Sequence, residues 1–76
     1  MKAFILVALN GKSERETLEQ LKSHKEVKHG YILFGEWDII VEVEVKDTDE
    51  LGTFVMDHVR NNPNIKLTSS LIVAGI

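Results

Sequence analysis

The 76-residue chain has no cysteine, so disulfide staples and thiolate metal sites are excluded and a reducing compartment is permitted. Its three histidines, His24, His29 and His58, have no metal-ligand spacing, and the pair His24 and His29 straddles a helix end; no metal or cofactor is expected. No apolar run approaches the roughly 20 residues that span a bilayer. The opening "MKAFILVAL" is too short for a signal peptide and lacks a small-residue cleavage site. Positive charge is also scarce: nine Lys and Arg are scattered among twelve Asp and Glu, for a net charge of −3. Nucleic-acid binders normally carry a basic patch or stripe, so direct DNA or RNA contact is not expected. These absences predict a cytoplasmic protein with no membrane segment.

What remains is one small domain. A chain of this size buries only about 60% of the surface that its unfolded form exposes, and such domains usually need a staple. With disulfides and metals set aside, oligomerisation is the staple left.

Ala3 to Leu9 is continuously apolar and β-rich, which predicts a strand buried on both faces. Ser13 and Glu16 have the spacing of a capping box, and a helix is expected from there to about Ser23, with Leu18, Leu21 and Thr17 inward. "VKHGYILF" reads as a second strand. "DIIVEVEV" alternates strictly, with Ile39, Val41, Val43 and Val45 on one face and Ile40, Glu42 and Glu44 on the other. Asp47 and Glu50 repeat the capping spacing before a helix whose inner face holds Leu51, Phe54, Val55, His58 and Val59. "NNPN" stops that helix, and Ile65 to Ile76 reads as a last strand, polar at Thr68, Ser69 and Ser70.

The order β-α-β-β-α-β predicts an α+β, ferredoxin-like fold: a four-stranded antiparallel sheet with both helices on one face and the first and third strands central. Two helices cover only one face, yet the first and last strands offer apolar side chains to both. Burying one Val, Leu or Ile contributes roughly 1.5–3 kcal/mol, so several left in water mark an interaction surface. A homodimer formed sheet to sheet is the simplest cover; C-terminal residues folding across the face are the alternative.

No catalytic constellation stands out. The serines have no His–Asp context, and the glycines do not fall in a phosphate-cradling spacing. The stretch "GEWD" is more suggestive. As a hairpin it offers Gly35, which can expose neighbouring N–H groups to a carboxylate, Asp38, which can accept an ammonium, and Trp37 as an apolar wall. Such a set suits a free α-amino acid. The same residues also suit an ordinary hairpin, with Trp37 packing at an interface. Thr68 to Ser70 offer hydroxyls to a ligand, or simply a polar edge strand.

At this point the whole chain resembles the effector-binding RAM domain (regulation of amino acid metabolism) of the Lrp/AsnC transcription regulators. The resemblance is carried by "AFILV", "GEWDIIVEVEVKD", "LGTFVMDHVRNNPNI" and "KLTSSLIV". It implies a single RAM-like domain over residues 1–76, standing alone without a DNA-binding domain. It also implies dimerisation through the sheets, often extended to a ring-like octamer (a tetramer of dimers), with free amino acids bound between dimers. Carried onto this chain, the ligand-facing residues would be Gly35, Glu36 and Trp37, with Asp38 holding the ammonium. Thr68, Ser69 and Ser70 would add hydroxyls, and Tyr31 would stand beside them. Without a DNA-binding half, sensing for a full-length relative by mixed assembly is one role, and storing or buffering an effector is another. A structural oligomerisation module and a small dimeric barrel enzyme are the competing readings; in the last, His29 and Tyr31 share strand parity but nothing activates them.

Overall fold

The computed structural model describes Met1 to Gly75. Strand β1 (Lys2–Leu9) leads to helix α1 (Glu14–Lys22), then strands β2 (Val27–Ile32) and β3 (Ile39–Glu44). Helix α2 (Thr48–Phe54) runs directly into a π-helical turn (Val55–Val59), and β4 (Ile65–Ile72) closes the chain. The sheet is antiparallel in the order β2-β3-β1-β4, so the first and third strands are central, as their apolar patterns predict.

Alternation decides which side chains meet the helices. Ala3, Ile5, Val7 and Leu9 of β1, with Ile39, Val41, Val43 and Val45 around β3, are buried against Leu21, Leu51, Phe54 and Val59 in one core. Each fully buried aliphatic there contributes roughly 1.5–3 kcal/mol. Gly30 lets α1 lie close to β2, since a Cβ at that position would come within 2.7 Å of Leu18 Cδ1 and 3.2 Å of Val41 Cγ1.

The two capping signatures part company. At α2, Asp47 Oδ1 accepts the Glu50 N–H at 2.9 Å, and Glu50 Oε2 reaches back to the Lys46 N–H at 2.7 Å. At α1, Ser13 makes no side-chain cap. Thr17 is wholly buried, and its hydroxyl, which accepts from Asn64 Nδ2 at 3.4 Å, also needs an acceptor for its proton. It donates to Ser13 Oγ at 3.3 Å, which engages the Ser13 hydroxyl in place of a cap.

Three boundaries differ from the sequence reading. Strand β2 stops at Ile32 rather than Phe34: the Leu33 N–H adds a last rung to the Asp38 carbonyl at 2.8 Å, and beyond it Phe34 stands fully exposed. The second helix widens after Phe54, where the Arg60 N–H bonds the Val55 carbonyl five residues back at 2.7 Å. Strand β4 ends at Ile72, although the Val73 N–H still donates to the Lys2 carbonyl at 3.0 Å. The expected continuation to Ile76 lies partly outside the described residues.

The second face of the sheet carries no helix. Cross-strand partners share a face, which gives two rows: Leu71, Phe4, Glu42 and His29, then Ser69, Leu6, Ile40 and Tyr31. Leu67 beside Ala8 extends the second row toward the hairpin end. Tyr31, Leu67 and Leu71 are each at least half exposed on the single subunit.

Candidate functional site

Residues Leu33 to Asp38 connect β2 and β3. Gly35 has φ +152°, a backbone conformation that side-chain-bearing residues rarely adopt, and open space where a Cβ would stand. Glu36 is exposed and Trp37 is half-buried. Asp38 is tied down: its N–H donates to the Val7 carbonyl at 2.9 Å, and its Oδ2 accepts the Leu9 N–H at 2.8 Å. Its carboxylate therefore braces the end of β1 as well as flanking the hairpin.

The sheet splits the other candidates. Ser69 faces the helix-free side opposite Leu6, whereas Thr68 and Ser70, opposite Val7 and Ile5, lie on the helix side. "TSS" thus does not present three hydroxyls to one surface. Ser69 and Tyr31 share a row but occupy opposite edge strands, three strand spacings or roughly 14 Å apart. One α-amino acid cannot bridge that gap within a subunit. Among the described residues, surface clefts of about 330 to 460 Å³ open beside α1, the π-helical turn and β4, and residues Leu33 to Asp38 line none of these.

Electrostatics divide the helix-free face. One end carries charge: Lys2 Nζ lies 3.8 Å from Glu42 Oε2, and the N-terminal ammonium lies 2.7 Å from Glu44 Oε2. The hydrogen bond from that ammonium holds the Glu44 carboxyl below its ordinary range. The other end, at Leu6, Ala8, Ile40, Leu67 and Tyr31, is apolar apart from Ser69 and the Tyr31 hydroxyl.

One cluster escaped the sequence reading. His24 pairs with His58 rather than His29, their ring centroids 4.2 Å apart and tilted by 33°, and both rings lean on Phe54. Residues 24 and 58 are too far apart in sequence for spacing to reveal this.

A ferredoxin-like sheet with one bare face and a Gly–Trp–Asp hairpin beside it is the setting for the comparisons with known proteins. Residues 2–75 match the model of the Lrp/AsnC ligand binding domain. The chain belongs to the Lrp/AsnC ligand-binding domain family. The HTH-type transcriptional regulator FL11 of Pyrococcus horikoshii is 30% identical over 73 residues, covering 96% of this chain and 48% of that protein. The crystal structure of FFRP-DM1 superposes with a TM-score of 0.90 at 39% identity, covering 95% of this chain and 96% of that one. The transcriptional regulator NMB0573 of Neisseria meningitidis, solved as its L-Met complex, gives a TM-score of 0.87 at 25% identity, covering 97% of this chain and 49% of that one. This Lrp/AsnC domain spans about half the length of the curated relatives it matches. The family is a ligand-binding one related to transcription regulators, not a class of enzymes. Among the described residues, no helix of the Lrp/AsnC domain is long and apolar enough to cross a membrane.

Proposed function

We propose that this Lrp/AsnC domain is an amino-acid-sensing regulatory module that binds a free amino acid between subunits and thereby shifts its own assembly. The observation that carries the reading is the bare sheet face, which sets Leu6, Ile40, Leu67, Leu71 and Tyr31 in water on a lone chain. A second copy placed sheet to sheet covers it, with assembly of four such dimers into an octamer as the further step. The roughly 14 Å between Tyr31 and Ser69 favours a ligand site shared by neighbours over one inside a subunit. A related regulator solved with L-Met supports an amino acid as the class of ligand. On this reading residues 1–76 act as one RAM-like unit in the cytoplasm. Gly35, Glu36 and Trp37 line the ligand, Asp38 supplies charge through its second oxygen, and mixed assembly with full-length relatives is the route to a promoter.

A thermal-shift screen against the twenty amino acids, with solution mass measured in parallel, tests this. A ligand at about 100 times its Kd adds roughly 2.7 kcal/mol to stability. A monomer whose melting no amino acid moves at millimolar concentration would overturn the proposal.

A second reading, a structural oligomerisation module without ligand, is favoured by one observation: an oxygen of Asp38 is already engaged by the Leu9 N–H. It expects the same assembly with no response to amino acids.

A further inference from the structure

Two local irregularities in this chain converge on one place. The π-helical turn ends in the bond from the Arg60 N–H to the Val55 carbonyl, which brings Arg60 round by a wider turn than an α-helix allows. At the start of β4 the register against β1 slips: Ala8 faces Leu67 while Leu9 faces Ile65, leaving Lys66 as the extra, unpaired residue of a bulge. Both devices re-aim a side chain, and both are over-represented beside functional sites. Here each one delivers a cation. Arg60, Lys66 and Thr68, with Ile65 and Leu67, line a single cleft of about 390 Å³.

Among the described residues, no carboxylate lines that cleft and neither Arg60 nor Lys66 forms an ion pair. The contrast with the cleft at the start of α1 is informative. There Lys12 and Arg15 are balanced by Glu14 and Glu16 within the same lining. In a chain of net charge −3, this concave surface carries two cations that no described residue pairs, a local excess of positive charge that an anion would offset. The backbone adds a donor. Val73 donates to Lys2 across the ladder, so by antiparallel alternation Leu71 and Ser69 also face β1, and the N–H of Thr68 points out along the free edge beside the cleft.

We infer that Arg60, Lys66 and the Thr68 hydroxyl and N–H form an oxyanion-binding site, taking a carboxylate or a phosphate group between the π-turn and the bulge of β4. The planar guanidinium gives two parallel donors to such a group, and the Lys66 ammonium gives a point charge. The site is distinct from the hairpin, sharing with the proposed amino-acid residues only Thr68, and it stands or falls without them.

The test is a ¹H–¹⁵N correlation titration of the full chain, with sodium phosphate in one arm and sodium acetate in the other, at ionic strength held constant with sodium chloride. The expected result is saturable shifts of the Lys66, Leu67 and Thr68 amides and of Arg60 Nε; the arm that saturates at lower concentration identifies phosphate or carboxylate as the preferred group. Arg60→Gln and Lys66→Gln should each weaken binding about tenfold, the loss of one charged hydrogen bond. Both residues are exposed, so an unchanged melting temperature should accompany that loss. Lys12→Gln with Arg15→Gln should leave the titration unaltered. Shifts that never saturate, that spread evenly over all basic residues, or that survive Arg60→Gln would overturn the site.

Discussion

Asp38 Oδ2 lies 2.8 Å from the backbone nitrogen of Leu9, so the acid at the base of the hairpin holds the end of the first strand. The next residue, Asn10, donates its N–H to the Asn64 carbonyl at 2.8 Å, at the start of the last strand. The hairpin, the end of β1 and the entry to β4 are thereby joined at one end of the sheet.

That bond allows the charge of Asp38 to be separated from its structural role. Asp38→Asn keeps an oxygen that can accept the Leu9 N–H but removes the negative charge, whereas Asp38→Ala leaves a backbone donor without its partner at a cost of about 1–3 kcal/mol. If Asp38 holds a ligand ammonium, Asn should abolish amino-acid binding at near-native stability, and Ala should lose both. Urea unfolding alongside calorimetric titration distinguishes the cases; full binding by the Asn variant would remove Asp38 from the ligand site.

The bare sheet face makes a direct claim about assembly. Leu6→Asp places a charge midway along that face, between Ser69 and Ile40. Its side chain points away from the core, so a folded circular dichroism spectrum should persist while light scattering reports a smaller particle. An assembly of unchanged mass would show that subunits meet elsewhere.

Gly30 tests the packing of α1 on the sheet. Strand glycines replaced by residues of higher β-propensity usually gain stability, but Leu18 Cδ1 at 2.7 Å and Val41 Cγ1 at 3.2 Å oppose any added Cβ here. Gly30→Ala should cost about 1 kcal/mol, since the end of Leu18 can swing aside, and Gly30→Val up to about 3 kcal/mol. Denaturant midpoints measure both; a rise in midpoint would mean that α1 does not sit so close.

Glu44 carries a pH dependence of known sign. Its carboxyl is held low chiefly by the hydrogen bond from the N-terminal ammonium. A lowered folded-state pKa means that the contribution is present above the unfolded carboxylate pKa and lost as pH falls through the folded one. Acetylating the N-terminus should raise the Glu44 titration midpoint by carbon-detected NMR and flatten stability on the acid side, and added salt should shrink the effect because the pair is exposed. An unmoved midpoint would refute the pairing.

How much of this was legible in the residues follows from the range of the forces involved. Alternation in "DIIVEVEV" and the apolar run of β1 determined strand position and the centre of the sheet, because side-chain direction in a strand is set by local backbone geometry. The Asp47–Glu50 cap was equally local, closed within four residues. The cap expected at Ser13 is absent, and its hydroxyl instead meets that of Thr17, which tertiary packing buries and which also accepts from Asn64. The hairpin residues could be named, yet the commitment of Asp38 to Leu9 depends on the meeting of strands 29 residues apart. "TSS" looked like one row of hydroxyls until register divided it between two faces. The His24–His58 stack and the convergence of Arg60 with Lys66 also belong to the folded chain, since one needs two helices brought side by side and the other a π-turn and a bulge aimed at the same cleft. The sequence by itself determined the order of elements, the inward face of each and the excess of apolar sheet, all set by periodicity and composition. Only tertiary structure decided which polar groups found one another, because hydrogen bonds and charges act over a few ångströms between residues that the chain does not place side by side.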